Sequence, residues 1–234
     1  MKIHIVTAFP GMFPGVIDES ILKRAQVQGA VQITVHDLRD FTTDKHRSVD
    51  DAPYGGGPGM ILKPEPIFRC VEKIIEQDKL EQPRIILTSA AGELFDQNHA
   101  NRIAAEPERA LIFICGHYKG VDERVREFLA TEEYSIGEYV LTGGELATMV
   151  MVDAIVRLLP DVLGDLDSAL SDSFQGDTLD HPHYTRPQDF RGMRVPDVLL
   201  SGHHGEIEKW RRRKAEEALR AQKRDLSKFK RKNS

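Results

Sequence analysis

The sequence predicts an α/β domain with a mostly parallel sheet, followed by a small, mainly helical domain. Strand-like segments, either alternating or continuously apolar, are separated by segments with helical periodicity, a pattern typical of parallel sheets connected by helices. Near Asp161 this alternation stops and the composition changes. The predicted division is therefore a sheet domain at 1–160, an interdomain linker at 161–180 and a second domain at 181–234.

Each element of the first domain has a local signature. Alternating β-branched residues or short continuous apolar runs predict four strands, at 2–8, 30–38, 84–89 and 110–116. Apolar residues at helical spacing predict four helices, at 13–30, 65–78, 95–106 and 143–160. The stretch "DKHRSVDDAPYGGGPGM" at 44–60 has no period and is predicted to be a long loop.

Composition limits the class of protein. The chain has 234 residues, 40% hydrophobic and 29% charged, as expected for a globular protein with a substantial core. Cys70 and Cys115 lie in apolar surroundings and are predicted to be reduced core thiols. The sequence contains neither a signal-peptide pattern nor an apolar run of bilayer length. We therefore expect a cytoplasmic protein that does not enter membranes.

Charge is unevenly distributed along the chain. The net charge of −5 gives no general affinity for nucleic acid, and the predicted linker contains aspartates but no lysine or arginine. From Lys209 onward, however, twelve lysines and arginines accompany only three acidic residues. This asymmetry predicts a C-terminal helix that binds a polyanion such as RNA, although a merely solvated basic helix is the alternative.

The sequence lacks the motifs of several common functional sites. "PYGGGPGM" at 53–60 lacks the Gly-Lys-Ser/Thr ending of a phosphate-binding loop, and no G-x-G-x-x-G follows a strand. The histidine pairs His181/His183 and His203/His204 do not have standard zinc spacing, so no metal site is predicted. There is also no nucleophile elbow.

Three loops that follow predicted strands remain as a candidate ligand site: "TSAAGE" (88–93), "CGHYKG" (115–120) and "YSIGEYVLTGGE" (134–145). The carboxyl ends of parallel strands are where such folds bind ligands. Lys119 is the only lysine or arginine in these loops, so their small residues and backbone groups suit an adenine and a ribose better than a triphosphate.

Two charged residues outside these loops have open interpretations. Arg157 follows Asp153 by one helical turn, so it could form an ion pair with that residue or point its guanidinium into a cleft. Asp172, in "SDSF", could be a solvated surface residue.

Five long stretches carry a resemblance to a known family: "DAPYGGGPGM", "CGHYKGVDERV", "EYSIGEYVLTGGELATMVMVDAIVRLLPDVLG", "DSFQGDTLDHPHYTRP" and "VPDVLLSGHHGEIEKWR". In this order and spacing they resemble the bacterial tRNA (guanine-N1)-methyltransferases of the SPOUT superfamily, nearly end to end. The resemblance implies a sheet domain with a deep trefoil knot, in which the three loops hold S-adenosylmethionine. It also implies methylation of N1 of the guanosine immediately 3′ of the tRNA anticodon, by a homodimer with shared active sites.

The resemblance assigns roles to individual residues. Asp172 corresponds to the general base and Arg157 to the catalytic arginine. Asp180 corresponds to the aspartate that approaches the donor's amino group from the partner chain. The other donor-binding positions are Leu87, Ser89, Gly92, Gly116, Tyr118, Gly120, Ser135, Ile136, Gly137, Tyr139, Leu141, Gly143 and Gly144.

The chain departs from the family pattern in the second loop, where His117 and Lys119 replace the more usual arginine and glutamate. That glutamate has been linked to the donor's amino group and to a magnesium requirement. A lysine cannot ligate a cation, so the magnesium requirement is an open question for this chain. Two alternatives remain: a SPOUT methyltransferase with another RNA target, and a non-catalytic RNA-binding relative.

Overall fold

The computed structural model describes residues 1–163, 173 and 179–222. The chain divides into two compact units, Met1–Gly164 and Asp165–Ser234. The predicted linker at 161–180 lies largely outside the described residues, so its boundaries stay a prediction.

The first unit is built on a five-stranded sheet. The strands of the described chain are β1 (Lys2–Thr7), β2 (Gln32–Asp37), β3 (Asp50–Asp51), β4 (Ile61–Leu62), β5 (Arg84–Leu94), β6 (Leu111–Cys115), β7 (Glu132–Ser135), β8 (Asp189–Phe190) and β9 (Met193–Arg194). The main sheet has the order β2-β1-β6-β5-β7, and all of its neighbouring strands pair in parallel. The α/β class with a parallel sheet is therefore confirmed.

Helices cover both faces of this sheet and also form much of the second unit. They are α1 (Pro14–Ile17), α2 (Ser20–Val27), α3 (Pro64–Asp78), α4 (Gln97–Ala104), α5 (Glu123–Phe128), α6 (Glu145–Val156), α7 (Asp197–Leu200) and α8 (His204–Gln222). A capping box begins α4, because the Asp96 side chain accepts from the backbone N–H of His99 while the His99 side chain accepts from that of Asp96.

Two apolar clusters form the core, one on each face of the sheet. Ile3 and Phe113 belong to the cluster that includes residues of α2, α4 and α6. Val6 and Ile112 belong to the cluster that includes residues of α3 and α5. This division follows from the alternation of side chains along a strand that is covered on both sides. The parallel pairing of β5 with β6 and with β7 places the carboxyl ends of these three strands next to one another.

Three sequence predictions need correction. The single helix expected at 13–30 is two helices, because Ser20 has φ +49 and the backbone turns before α2. The strand expected at 84–89 continues to Leu94 through an irregularity between Thr88 and Glu93. The expected long loop at 44–60 contains β3, which pairs antiparallel with β4.

Other predictions are confirmed. Both cysteines are buried and unpaired, and burial raises the pKa of the Cys70 thiol to about 12, so this thiol stays protonated at neutral pH. None of the helices in the described ranges combines the length and apolar character that crossing a bilayer requires.

The described part of the second unit has its own small core. Leu179 is buried against Ala218 and Leu219 of α8. Trp210 is 7% exposed, and its indole ring lies near the rings of His181 and Tyr184. These contacts hold the segment at 179–184 against α8.

Candidate active site

The irregular part of β5 at 88–91 and the loops that follow β6 and β7 line one cavity at the carboxyl edge of the sheet. Its volume is ≈ 450 Å³, within the range of small-molecule sites. The lining runs from Leu87 to Ala147 and so belongs entirely to the first unit. The structure therefore brings together the three loops that the sequence singled out.

The start of α6 is packed very closely against the ends of β5 and β6. The backbone N–H of Gly144 donates to the carbonyl oxygen of Gly116 at 2.6 Å. A Cβ on Gly144 would lie 1.8 Å from the Oγ1 of Thr88 and 3.0 Å from the backbone nitrogen of Gly116. Only glycine permits this approach of the two loops, so Gly144 sets the floor of the cavity.

A buried carboxylate joins three separate segments beside the cavity. Glu145, the first residue of α6, is fully buried. Its Oε1 accepts a 2.8 Å hydrogen bond from the hydroxyl of Thr7, at the end of β1, and its Oε2 lies 3.3 Å from Nδ1 of His117. A carboxylate in the first turn also complements the helix dipole. The network ties the second loop to the third.

The second loop is held in an unusual backbone conformation. Tyr118 has φ +59, in the left-handed region that non-glycine residues seldom adopt, and the N–H of Gly120 donates to the carbonyl of His117. The imidazole of His117 lies 4.2 Å from the ring of Phe9, measured between centroids. This packing presents Tyr118, which is 45% exposed, at the cavity.

Lys119 connects the second loop to the glycine-rich loop at 53–60. Its backbone N–H donates to the carbonyl of Met60, and a Cβ on Gly59 would lie 2.9 Å from its Cγ. Gly59 has φ +92, so glycine is required there for both conformation and space. The glycine-rich loop thus makes a close backbone approach to the cavity loop.

Most of the predicted donor-binding residues line the cavity. They are Leu87, Ser89, Gly116, Tyr118, Gly120, Ser135, Ile136, Gly137, Tyr139, Leu141, Gly143 and Gly144. Gly92 does not line it; instead, a Cβ there would lie 2.6 Å from the backbone nitrogen of Tyr134, so this glycine permits β5 to pack on β7.

The remaining predicted residues lie elsewhere. Arg157 is half-buried and caps the C-terminal end of α6, whereas the cavity is at the N-terminal end. Asp172 lies outside the described residues. Asp180 belongs to the second unit, and although its partial burial opposes ionisation, hydrogen bonds from His183 and from the N–H of His181 hold its pKa below the usual value.

The sequence did not predict four charged residues at this site. Glu123, Arg126 and Glu133 line the cavity, and Glu145 lies beneath it. The available signal was that Glu145 ends the third predicted loop and that Glu123 lies in the motif that contains the second. Their orientation was not readable, because it depends on how α5 and β7 pack.

The second unit presents basic side chains on α8. Arg211, Arg212 and Arg213 are exposed, while Trp210 and Ala215 on the same helix are buried. The three arginines are therefore solvent-accessible on a helix that Trp210 and Ala215 anchor. Such a helix can bind phosphates.

A parallel α/β sheet whose strand-end loops enclose a cavity of this size defines a protein that binds a small ligand at its carboxyl edge. The particular family follows from comparison with known proteins. The family model described as tRNA (Guanine-1)-methyltransferase TrmD matches residues 1–229 of this chain. The chain belongs to this family.

Named relatives are similar over nearly the whole chain. The tRNA (guanine-N(1)-)-methyltransferase of Anoxybacillus flavithermus (strain DSM 21510 / WK1) is 57% identical over 215 residues, which cover 92% of this chain and 86% of that protein. The protein of the same name from Bacillus cereus (strain AH820) is 56% identical over 215 residues, with coverage of 92% and 87%. The resemblance seen in the sequence motifs is confirmed at the level of the family.

Proposed function

We propose that this protein transfers the methyl group of S-adenosylmethionine to N1 of the guanosine immediately 3′ of the anticodon in tRNA. One observation carries the proposal: the three segments predicted from sequence as a ligand site line one cavity of ≈ 450 Å³. The names of the relatives support the tRNA substrate and the guanine N1 target.

The residues of the cavity fit this donor, which supplies a methyl group on a positively charged sulfonium when bound. Leu87, Ile136 and Leu141 offer aliphatic surface for a flat adenine, and the glycines of the three loops leave backbone groups accessible for polar contacts. Glu123 and Glu133 add carboxylates that suit an amino group. A nucleoside with an amino-acid tail needs this mixture.

The chemistry requires a base and a group that stabilises negative charge. Guanine N1 carries a proton and is a poor nucleophile until that proton is removed, which we assign to the carboxylate of Asp172. The N1–carbon bond then forms as the carbon–sulfur bond breaks. Negative charge that builds on O6 during proton removal is stabilised by the planar guanidinium of Arg157.

The position of Arg157 supports a homodimer with shared active sites. The 12 residues of α6 span about 18 Å at 1.5 Å per residue, with the cavity at one end and Arg157 at the other. That is further than an arginine side chain reaches, so we propose that each cavity receives Arg157 and Asp180 from the partner. Leu146 and Val150, one turn apart on α6, are 47% and 52% exposed, and an apolar surface of this kind suits a second copy.

The remaining parts of the proposal follow from the family. We place the trefoil knot at the three loops, where the hydrogen bond between Gly144 and Gly116 and the bridge between His117 and Gly143 hold the chain segments against each other. The exposed arginines of α8 bind tRNA phosphates, and the protein acts in the cytoplasm. Magnesium dependence stays open, because Lys119 offers no ligand to a cation.

The decisive experiment incubates the protein with methyl-labelled S-adenosylmethionine and total tRNA, followed by digestion and identification of the labelled nucleoside. We expect 1-methylguanosine, and no label in a tRNA transcript whose target guanosine is replaced by adenosine. A labelled 2′-O-methyl nucleoside would identify a different target. Tight tRNA binding with no label in any nucleoside would identify a non-catalytic RNA-binding protein.

A further inference from the structure

In the second unit, three side chains that can bind a metal lie within a stretch of four residues. Asp180, His181 and His183 each offer one ligand atom, and these atoms all lie within 4.8 Å of one another. Nε2 of His183 is 2.8 Å from Oδ2 of Asp180, and Nε2 of His181 is 4.0 Å from Oδ1. The carboxylate therefore has one imidazole nitrogen near each oxygen.

The tautomer of His181 leaves its Nε2 available to bind a metal. Its Nδ1 lies 3.2 Å from the carbonyl oxygen of Pro182, and a carbonyl can only accept, so Nδ1 carries the proton. In the neutral ring, Nε2 then has a lone pair that faces the Asp180 carboxylate with no hydrogen between them. Fixing one ring nitrogen on a backbone carbonyl so that the other binds a cation is a common arrangement in metal sites.

The three residues are held by the core of the second unit. Leu179 is buried directly before them, and the His181 ring lies near the ring of the buried Trp210. Pro182 restricts the backbone between the two histidines, whose ring centroids are 4.3 Å apart. The ligands are thus positioned by local packing, and the cost of ordering them on binding is reduced.

We propose that Asp180, His181 and His183 form a site for a divalent transition metal of the zinc class. Two imidazoles and one carboxylate suit zinc, cobalt or nickel, whereas magnesium and calcium prefer oxygen ligands alone. Bonds of about 2.0–2.2 Å place tetrahedral ligand atoms roughly 3.4 Å apart, so small side-chain rotations suffice. The metal replaces the proton shared by His183 and Asp180, and the remaining coordination positions are filled by water.

This site goes beyond the proposed methyl transfer. Asp180 is also the carboxylate assigned above to the donor's amino group, and one carboxylate cannot serve a metal and an ammonium in full at the same time. Metal binding is therefore measured on the protein alone, without donor or tRNA. Its outcome does not depend on whether the protein proves to be a methyltransferase.

The test is a titration of the full-length, untagged protein with Co²⁺, whose visible d–d absorption reports inner-sphere binding. We expect one equivalent of Co²⁺ to bind and to be displaced by Zn²⁺. His181→Ala and His183→Ala should each weaken binding by at least about tenfold, the size of effect seen even for outer-sphere partners of metal ligands. The double variant His203→Ala/His204→Ala, which removes two exposed histidines of the same unit, is the matched control and should bind as the wild type does.

Circular dichroism of each variant separates loss of a ligand from loss of the fold. The proposal is wrong if the wild-type protein shows no d–d absorption with excess Co²⁺, because the cluster is then only an ion pair of Asp180 with histidines. It is equally wrong if the control loses binding as much as His181→Ala does, or if His181→Ala binds normally.

Discussion

At position 144 the short distances to Thr88 and Gly116 leave room only for glycine. These three residues meet where the start of α6 crosses the ends of β5 and β6, and no side chain fits at Gly144. Directly behind them, Glu145 is buried with its two oxygens placed near Thr7 and His117. The cavity therefore rests on backbone contacts and one buried carboxylate.

Gly144→Ala is expected to destabilise the protein by about 1–3 kcal/mol, because the new Cβ overlaps Thr88 and forces the two loops apart. Affinity for S-adenosylmethionine should fall with it. Gly15→Ala is the matched control, since a Cβ at that position meets nothing within 4 Å. Urea unfolding and calorimetric titration measure both effects, and equal results for the two variants would contradict the close-approach argument.

Asp172→Ala is expected to lower turnover by roughly a hundredfold or more while donor binding persists, because a general base contributes about 10²–10⁴ to the rate. Single-turnover methylation of tRNA and donor titration measure the two quantities separately. Asp177→Ala, a change of the same kind in the same acidic segment, serves as the control. Normal turnover in Asp172→Ala would remove it from the mechanism.

At the scale of elements, β5 is fastened to its surroundings by a buried arginine. Arg84 is 5% exposed and pairs with Glu132 of β7 at 2.6 Å and with Glu106, just after α4, at 2.8 Å. Breaking a buried pair leaves an uncompensated charge, which costs more than the pair itself contributes.

Arg84→Ala should therefore lower the free energy of unfolding by about 3 kcal/mol. Arg124→Ala is the comparison: Arg124 also pairs with a carboxylate, that of Asp122 at 2.7 Å, but its side chain is 59% exposed, and a much smaller loss is expected. Urea denaturation at neutral pH measures both. Similar losses would show that burial does not decide the strength of these pairs.

A pair of histidines on β1 and β2 makes the stability of the protein depend on pH. Nδ1 of His4 lies 3.1 Å from Nε2 of His36, and burial, together with the nearby His4, lowers the pKa of His36 to about 4. Burial also lowers the pKa of His4. The unfolded chain therefore binds more protons than the native protein between about pH 6.5 and pH 4.

We expect the free energy of unfolding to be highest above about pH 6.5 and to fall as the pH drops towards 4, by up to about 3 kcal/mol from His36 alone. His36→Asn should flatten this dependence, since the side chain no longer titrates. Urea unfolding as a function of pH measures the slope. An equally steep slope in His36→Asn would exclude this histidine pair as its source.

At the scale of the whole molecule, cations are concentrated from Lys209 onward, a segment that begins within α8, although the chain as a whole is negative. Removing the entire helix would also remove the buried Trp210, so point changes test the electrostatic role more cleanly.

Arg211→Gln/Arg212→Gln should weaken tRNA binding and reduce the salt slope of log K by up to about 2, because each phosphate contact releases roughly one counterion. Lys23→Gln/Arg24→Gln, two exposed cations on α2, is the matched control. Filter binding at several salt concentrations measures both slopes. An unchanged slope in the α8 variant would show that these arginines are only solvated.

The extent of prediction differs between elements. Four strands of the main sheet and the longer helices were readable because their periodicity is local, whereas the short strand β7 was not predicted. The three loops were readable because they are rich in glycine and small residues. The break between α1 and α2 was not, since it depends on the left-handed backbone at Ser20. Likewise, the extension of β5 to Leu94 depends on pairing with β7.

The sequence by itself determined the parallel α/β class, the loops of the candidate site and, through long motifs, the family. Only the tertiary structure decided that Thr7, His117 and Glu145 share one buried network, although Thr7 and Glu145 are 138 residues apart. It also decided that Arg157 and the cavity lie at opposite ends of α6, and that Asp180 joins the two histidines that lacked a zinc spacing. The reason is that periodicity records which face of an element is buried, whereas a site depends on which distant elements that face meets.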